Sequence, residues 1–475
     1  ARGRLRALLD GRRKEAPLPP LPKPPARPPA SSGDLESATA GKDSPAVGPT
    51  VALVPPERWR RRAALVLAVA TFFTGYNLSA PVSVMAALAS AMQVSFTQIG
   101  YTYAANSAGQ IIGALLFGWI AGRFGRLWAI IWSLIIVGTA SLLCGLSFDY
   151  SSLVILRAIQ GVGMGGELVV ATTYLIECAG ATHRGRFFLL YQLSFVIGSV
   201  FSYVGVASLG PSLLTNWRIL FFFGSAPLIL SLFLRRILPE SPLYLATLAR
   251  NHAAAGAAEG IGRAASSGPA AAGSANGGYK AVSKSNPSYV RPLTVFVTLW
   301  IFAAAVLNYG TAIYIPTFAR ITLGLTYGTL SNWVLVDRMV GLAVVAICAV
   351  SIDRIGRRAW FTASFAVASL TVGVMAMGGL STAGLLLLLV AAACASVLSS
   401  GLYLYVPELF ATPVRALAVG AAVAWFRLMS MLAPSLYASM GLQAMSFLLA
   451  LMVVGALGAA ITGYFGIETK GRTLK

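Results

Sequence analysis

From about residue 63 onward, apolar runs of helix length alternate with short polar or basic turns. About 20 consecutive apolar residues suffice to cross the hydrocarbon core of a bilayer as a helix. The runs predict twelve such helices. They are 63–89, 97–121, 127–147, a fourth within Arg157 to Arg186, 187–209 and 217–236, then 292–319, 327–350, 359–380, 383–405, 416–440 and 442–465. Lipid leaves no open backbone group satisfied, so runs of this kind span as helices. The expected fold class is an all-α integral membrane protein, twelve transmembrane helices in two six-helix halves.

The fourth run, RAIQGVGMGGELVVATTYLIECAGATHRGR, breaks the apolar pattern with Arg157, Glu167 and the glycines 161, 163, 165 and 166. Charges inside a bilayer are costly and turn toward a protein interior or a wet cavity. The glycines bare one face for a second helix. In the competing reading, Arg157 snorkels to the interface and Glu167 is a satisfied packing residue.

The same run belongs to a repeat. Tyr174-x-x-Glu177 followed by Arg184 recurs as Tyr405-x-x-Glu408 followed by Arg415, and Gly122 to Arg126 (GRFGR) recurs as Asp353 to Arg357 (DRIGR). Both recurrences have an offset of 231 residues (405 − 174 and 353 − 122), which implies two halves of like topology. Asn77 and Asn308 share that offset, inside Tyr/Gly-rich segments. Paired amides at equivalent depth suit substrate hydrogen bonding; interhelical packing is the competing reading.

Between the runs, the composition shifts. Residues 1–58 form a Pro/Arg-rich tail, expected to be disordered and cytoplasmic, with a polyproline tract at Pro17 to Pro29. No apolar core with a cleavage site marks a signal peptide. Residues 239–291 read as a largely disordered cytoplasmic linker between an N-terminal half, 59–238, and a C-terminal half, 292–466; a short tail, 467–475, closes the chain. The chain is 57% hydrophobic and 11% charged, which excludes a soluble globular fold. Its net charge of +21 resembles that of a nucleic-acid binder, but the basic residues concentrate in the tail and alternate loops. That distribution orients a membrane protein, so no nucleic acid is expected and both termini are cytoplasmic, in the plasma or inner membrane.

Five charges remain inside the predicted spans: Arg157, Glu167, Asp337, Arg338 and Arg427. The surplus positive charge calls for a counter-ion, which an anionic substrate supplies. Asp337 and Arg338 are neighbours, about 100° apart on a helix, and are expected to have separate partners. Glu167 and Asp337 are the proton-carrying candidates. The loop residues Arg123, Arg126, Glu177, Arg184, Asp353, Arg354, Arg357, Glu408 and Arg415 are expected to bridge helix ends when the cytoplasmic side closes. A solvated pair worth under about 1 kcal/mol is the competing reading for any one of them. The four cysteines form no disulfide framework, and there is no metal cluster, nucleophile–base pair or phosphate loop. Neither an enzyme nor a cofactor is expected.

These residues resemble the major facilitator superfamily, and within it the sugar-porter group and its metabolite–proton symporter relatives, including the synaptic vesicle glycoprotein and niacin-transporter branches. The motif G-x-x-x-D-R-x-G-R-R is similar to Gly118 to Leu127 and to Ala349 to Arg358. R-x-x-x-G-x-G-x-G-G is similar to Arg157 to Gly166, and P-E-S-P-R-x-L to Pro239 to Leu245. Y-x-P-E-x-F-P-T-x-x-R is similar to Tyr405 to Arg415, and P-E-T-K-G-R-x-L to Ile467 to Leu474. The resemblance implies alternating-access transport. It also marks two departures. Asn77 stands where the family has a titrating Asp that pairs with the fourth-span Arg, and Gly122 stands where it has the loop-motif Asp. The second departure is expected to favour inward-open states.

The expected function is secondary transport of a small polar organic metabolite, an organic anion or sugar-like solute, by a monomeric unit with proton coupling. The substrate would contact Asn77, Arg157, Asn308, Tyr314 and Arg427. A facilitative uniporter and a non-transporting scaffold or receptor are the alternatives.

Overall fold

A computed structural model describes residues 57–179, 184–209, 216–249, 287–323, 327–378, 382–439 and 444–470, all within one unit of the chain. The N-terminal tail to residue 56, His183, His252, linker residues 250–286 and residues 471–475 lie outside the described residues, as do the side chains of Arg184 and Tyr314.

The first half contains α1 (Glu57–Ser83), short α2 (Met85–Met92), α3 (Phe96–Phe124), α4 (Arg126–Gly145), α5 (Tyr150–Cys178), α6 (Arg184–Leu209), α7 (Arg218–Phe223) and α8 (Pro227–Ile237). The second contains α9 (Pro287–Leu323), α10 (Tyr327–Ile355), α11 (Arg357–Gly378), α12 (Thr382–Leu409), α13 (Thr412–Ser439) and α14 (Ala444–Phe465). Among the described residues, ten helical stretches are individually long and apolar enough to cross a bilayer. With α6 and α10 they make the twelve spans of two six-helix halves, the sixth span being α7 and α8 together.

Two spans differ from the apolar pattern. The first stops at Ser83, and α2 follows as a separate piece. The sixth breaks at Gly224 to Ala226, because Pro227 begins α8 without an N–H to continue the ladder. The freed Gly224 carbonyl accepts from Asn77 Nδ2 at 2.8 Å.

Helix ends are fixed by local chemistry. Ser95 and Gln98 form a capping box at α3. Asp149 caps α5 by accepting from Ser152 N. The α3–α4 and α10–α11 corners turn on Gly125 and Gly356, both at φ +108°, a conformation only glycine adopts freely.

Glycine also sets the closest helix approach. A Cβ on Gly161 or Gly165 of α5 would sit 2.0 or 2.2 Å from the Asn106 and Gln110 carbonyls of α3. Reciprocally, Gly109 and Gly113 of α3 rest on Ala158 and Val162 of α5. The same device joins the halves: Gly118 of α3 lies against Ala416 of α13, and Gly420 of α13 against Ala114 of α3.

Candidate functional site

The charged groups fall in two layers. At the end of the bundle carrying the basic turns, four arginines and glutamates predicted as loop residues are buried. Arg126 donates from Nε and Nη2 to both oxygens of Glu177, at 3.2 and 3.0 Å. Arg357 does the same to Glu408, at 3.1 Å each, and pairs with Asp353 at 2.9 Å. The four residues of the two bidentate pairs have side chains no more than 1% exposed. Bidentate pairs of this kind combine strength with fixed orientation.

The layer also ties the halves together. Arg415 of α13 donates to Glu177 of α5 at 3.3 Å, and Arg126 donates to the Thr412 carbonyl at 3.1 Å. Gly185 of α6 sits against the Asp353 carboxylate. The basic end is therefore closed in the state described. Gly122 is exposed, with open space beside it. Of the expected gate residues, Arg123 and Arg354 are exposed and contribute backbone carbonyls, to Tyr244 and Lys470.

Sequence reasoning missed a third member of this layer. Glu240, placed in the expected linker, accepts from the backbone N–H groups of Arg126 and Leu127 at the start of α4. Tyr244 follows it, with the Arg126 guanidinium 4.8 Å above its ring. Glu468 serves α11 in the same way, through Arg357 N and Arg358 N. Burial alone would raise the Glu468 carboxyl. The backbone N–H groups of Arg357, Lys470 and Arg358, with the Arg357 charge, outweigh it and hold the group below the usual glutamate range. Glu468 lies two positions before Lys470 in the sequence, which does not show that it docks on a helix start.

Apart from Asn77 and Asn308, the inner layer is single-copy. Arg157 is 1% exposed and donates from Nη1 to the Asn77 carbonyl and to Gln160, while its Nε and Nη2 find no acceptor. The Asn77 amide is engaged elsewhere, on Gly224 and with Ser141 Oγ at 3.0 Å. Asn308 is half-buried and donates to Ser399 at 3.3 Å. Both amides hydrogen-bond within their own halves, and nothing described brings them together.

Arg427 of α13 is 6% exposed. Its Nη1 meets Tyr309 Oη at 3.1 Å and its Nε has no partner. Tyr103 of α3 and Tyr403 of α12 lie within electrostatic reach. Arg427 forms no ion pair with any described carboxylate. Glu167, fully buried on α5, accepts from Thr71 and Thr74 of α1 at 2.8 and 3.1 Å and likewise has no cationic partner. Asp337 and Arg338 are 3.9 Å apart, at the limit of an ion pair, so the expected separate partners are not observed for them.

Comparison with known proteins agrees with this architecture. The profile of the family described as "Sugar (and other) transporter" matches residues 63–475. The chain is 34% identical over 202 residues to the 4-hydroxybenzoate transporter of Acinetobacter baylyi, covering 42% of this chain and 43% of that one. It is 26% identical over 372 residues to a Bacillus subtilis protein named for niacin and nicotinamide transport, covering 77% and 84%. The first of these alignments thus spans less than half of the relative. In structure it is similar to the proton:xylose symporter XylE with 6-bromo-6-deoxy-D-glucose bound (TM-score 0.68, 21% identity, 88% of this chain and 98% of that one). A partially occluded inward-open form of the xylose transporter from E. coli gives a TM-score of 0.62, at 21% identity and with 88% and 100% covered. The family match establishes that this chain belongs to the sugar (and other) transporter family, a family of transporters and not enzymes, and its fold is that of the xylose transporter structures.

Proposed function

We propose that the protein moves a small organic anion across a membrane by alternating access, with Arg427 as the anion-binding group. The observation carrying this reading is a nearly buried guanidinium among Tyr309, Tyr403 and Tyr103, with a free Nε and no carboxylate of its own among the described residues. An isolated buried charge costs several kcal/mol, and a substrate carboxylate offsets that cost. Tyrosines around it add flat apolar faces with hydrogen-bonding ends, which suits an aromatic or other planar acid. Relatives named for 4-hydroxybenzoate and niacin transport favour the same class.

The basic end is the cytoplasmic one by the distribution of Lys and Arg. The state described is then closed to the cytoplasm, and release inward requires the Glu177–Arg415 contact to part. A facilitative uniporter is the second reading. The observation favouring it is Asn77, whose amide is committed to Gly224 and Ser141 and leaves Arg157 without a titrating neighbour on α1.

The test is uptake of radiolabelled 4-hydroxybenzoate, niacin and xylose into vesicles holding the purified protein. The acids are taken up, xylose is not, and Arg427→Gln lowers acid uptake at least about tenfold, the equivalent of about 1.4 kcal/mol. Uptake of xylose alone, or acid uptake indifferent to Arg427→Gln, rejects the anion assignment.

A further inference from the structure

Three hydrogen-bond donors at one place in the first half have no acceptor. Arg157 of α5 is 1% exposed, and Gln160, one turn on, is fully buried. Arg157 Nη1 donates to the Asn77 carbonyl of α1 at 3.1 Å and to Gln160 Oε1. The second contact sets the Gln160 amide beside the guanidinium. It leaves Arg157 Nε, Arg157 Nη2 and Gln160 Nε2 without a partner.

The surrounding acceptors are occupied or out of reach. Asn77 Oδ1 accepts from Ser141, Asn106 Oδ1 of α3 accepts from Gln110, and the Arg157 carbonyl accepts from Asn106 Nδ2. Gln110 Oε1 is itself unpartnered and bonds to none of the three donors. No described carboxylate pairs with Arg157. Glu167 lies ten residues on, about 15 Å along the helix axis, and accepts from Thr71 and Thr74.

We infer that these donors bind a monoatomic anion, chloride, which resides in the first half as the counter-ion of Arg157. The site is separate from the one proposed at Arg427, and the inference does not depend on what Arg427 binds.

A guanidinium does not give up its proton, so its buried charge is met by an anion or remains uncompensated. The chain supplies no anion here, and three free donors converge where one would sit. The space selects a small ion. Around Arg157, α3 and α5 meet backbone to backbone, with Gly109 against the Ala158 carbonyl and Gly161 against the Asn106 carbonyl. Such packing leaves no room for the carbon frame of an organic acid. The donors are also absent from the repeat: shifting by 231 residues carries Arg157 onto Leu388 and Gln160 onto Ala391. An apolar pair serves the second half at these positions, so packing alone does not call for the polar one.

The ion is resident and not cargo. Its neighbours Asn77, Asn106, Arg157 and Gln160 stand on α1, α3 and α5, all within one half. Rocking of one half against the other carries such a site as a body and does not expose it first to one side and then to the other. Its effect is to fix the guanidinium that holds the Asn77 carbonyl, and so to hold α1 on α5.

The experiment is equilibrium binding of radioactive chloride to purified protein, with thermal unfolding in chloride or gluconate at equal ionic strength. Wild type retains chloride, and its unfolding midpoint is at least about 2 °C higher in chloride. Gln160→Glu places a carboxylate on the Arg157 contact. It binds no chloride, and its midpoint is the same in both salts and equals that of wild type in chloride. Arg157→Gln binds no chloride either; if it fails to fold, Gln160→Glu decides alone. No chloride on wild type, or chloride retained equally by Gln160→Glu, overturns the site. Displacement of the chloride by 4-hydroxybenzoate makes the donors part of the substrate site and overturns the resident ion. Chloride flux accompanying acid uptake in vesicles does the same. Each of these outcomes leaves the Arg427 assignment standing, since Arg427→Gln tests that one separately.

Discussion

At the residue scale, Asn77 illustrates how one substitution in a motif is absorbed by its surroundings. Its amide bridges the broken sixth span and α4, donating to Gly224 and accepting from Ser141. Asn77→Asp would not simply rebuild a carboxylate partner for Arg157. It would set an acceptor against the Gly224 carbonyl and lose the donor. The expected cost is about 1–3 kcal/mol, read as a lower unfolding temperature without a new pH dependence of transport. Glu468 makes a prediction of the opposite kind. Its carboxyl is held below the usual range in the folded state, so it stabilises the fold above its unfolded value and that contribution is lost as pH falls below roughly 4.3. Glu468→Gln removes this pH dependence and loosens the start of α11. Thermal unfolding of both proteins between neutral and acid pH measures it.

At the element scale, the glycines of α5 decide how near α3 can come. Gly161→Leu has no room against the Asn106 carbonyl, and backbone cannot give as a side-chain end can. The substitution should cost at least about 3 kcal/mol and abolish monodisperse protein in detergent. Gly122→Ala is the control, since nothing lies within reach of its Cβ. It should be neutral or stabilise by up to about 1 kcal/mol through helix propensity. Wild-type unfolding after Gly161→Leu would mean that α3 and α5 do not meet as described.

At the scale of the whole molecule, one layer of charges closes the basic end across the halves. The gate charges are buried pairs, and removing one partner strands the others. Glu177→Gln leaves Arg126 and Arg415 without their shared carboxylate, a penalty of about 3–5 kcal/mol borne mostly by the closed state. The basic end should then open, seen as longer spin-label distances between the ends of α5 and α13. Unchanged distances would show that helix packing through Gly118 and Gly420 suffices to hold the halves.

The sequence by itself determined the twelve apolar spans, the division into halves and the pairing of motifs at a constant offset. These are properties of composition and repetition, which need no contact to be read. It also determined which charges lie at bilayer depth, because Arg157, Glu167 and Arg427 interrupt otherwise apolar runs. Tertiary structure alone decided their partners. Sequence gives separation along a helix, and not which neighbour helix a side chain faces. So Arg126 of one half and Arg415 of the other turned out to share Glu177, and Glu240 turned out to cap α4. The tyrosines around Arg427 carried no signal, since a Tyr in a span reads as packing until the fold sets it beside a charge. Only the fold brings α3, α9, α12 and α13 together there.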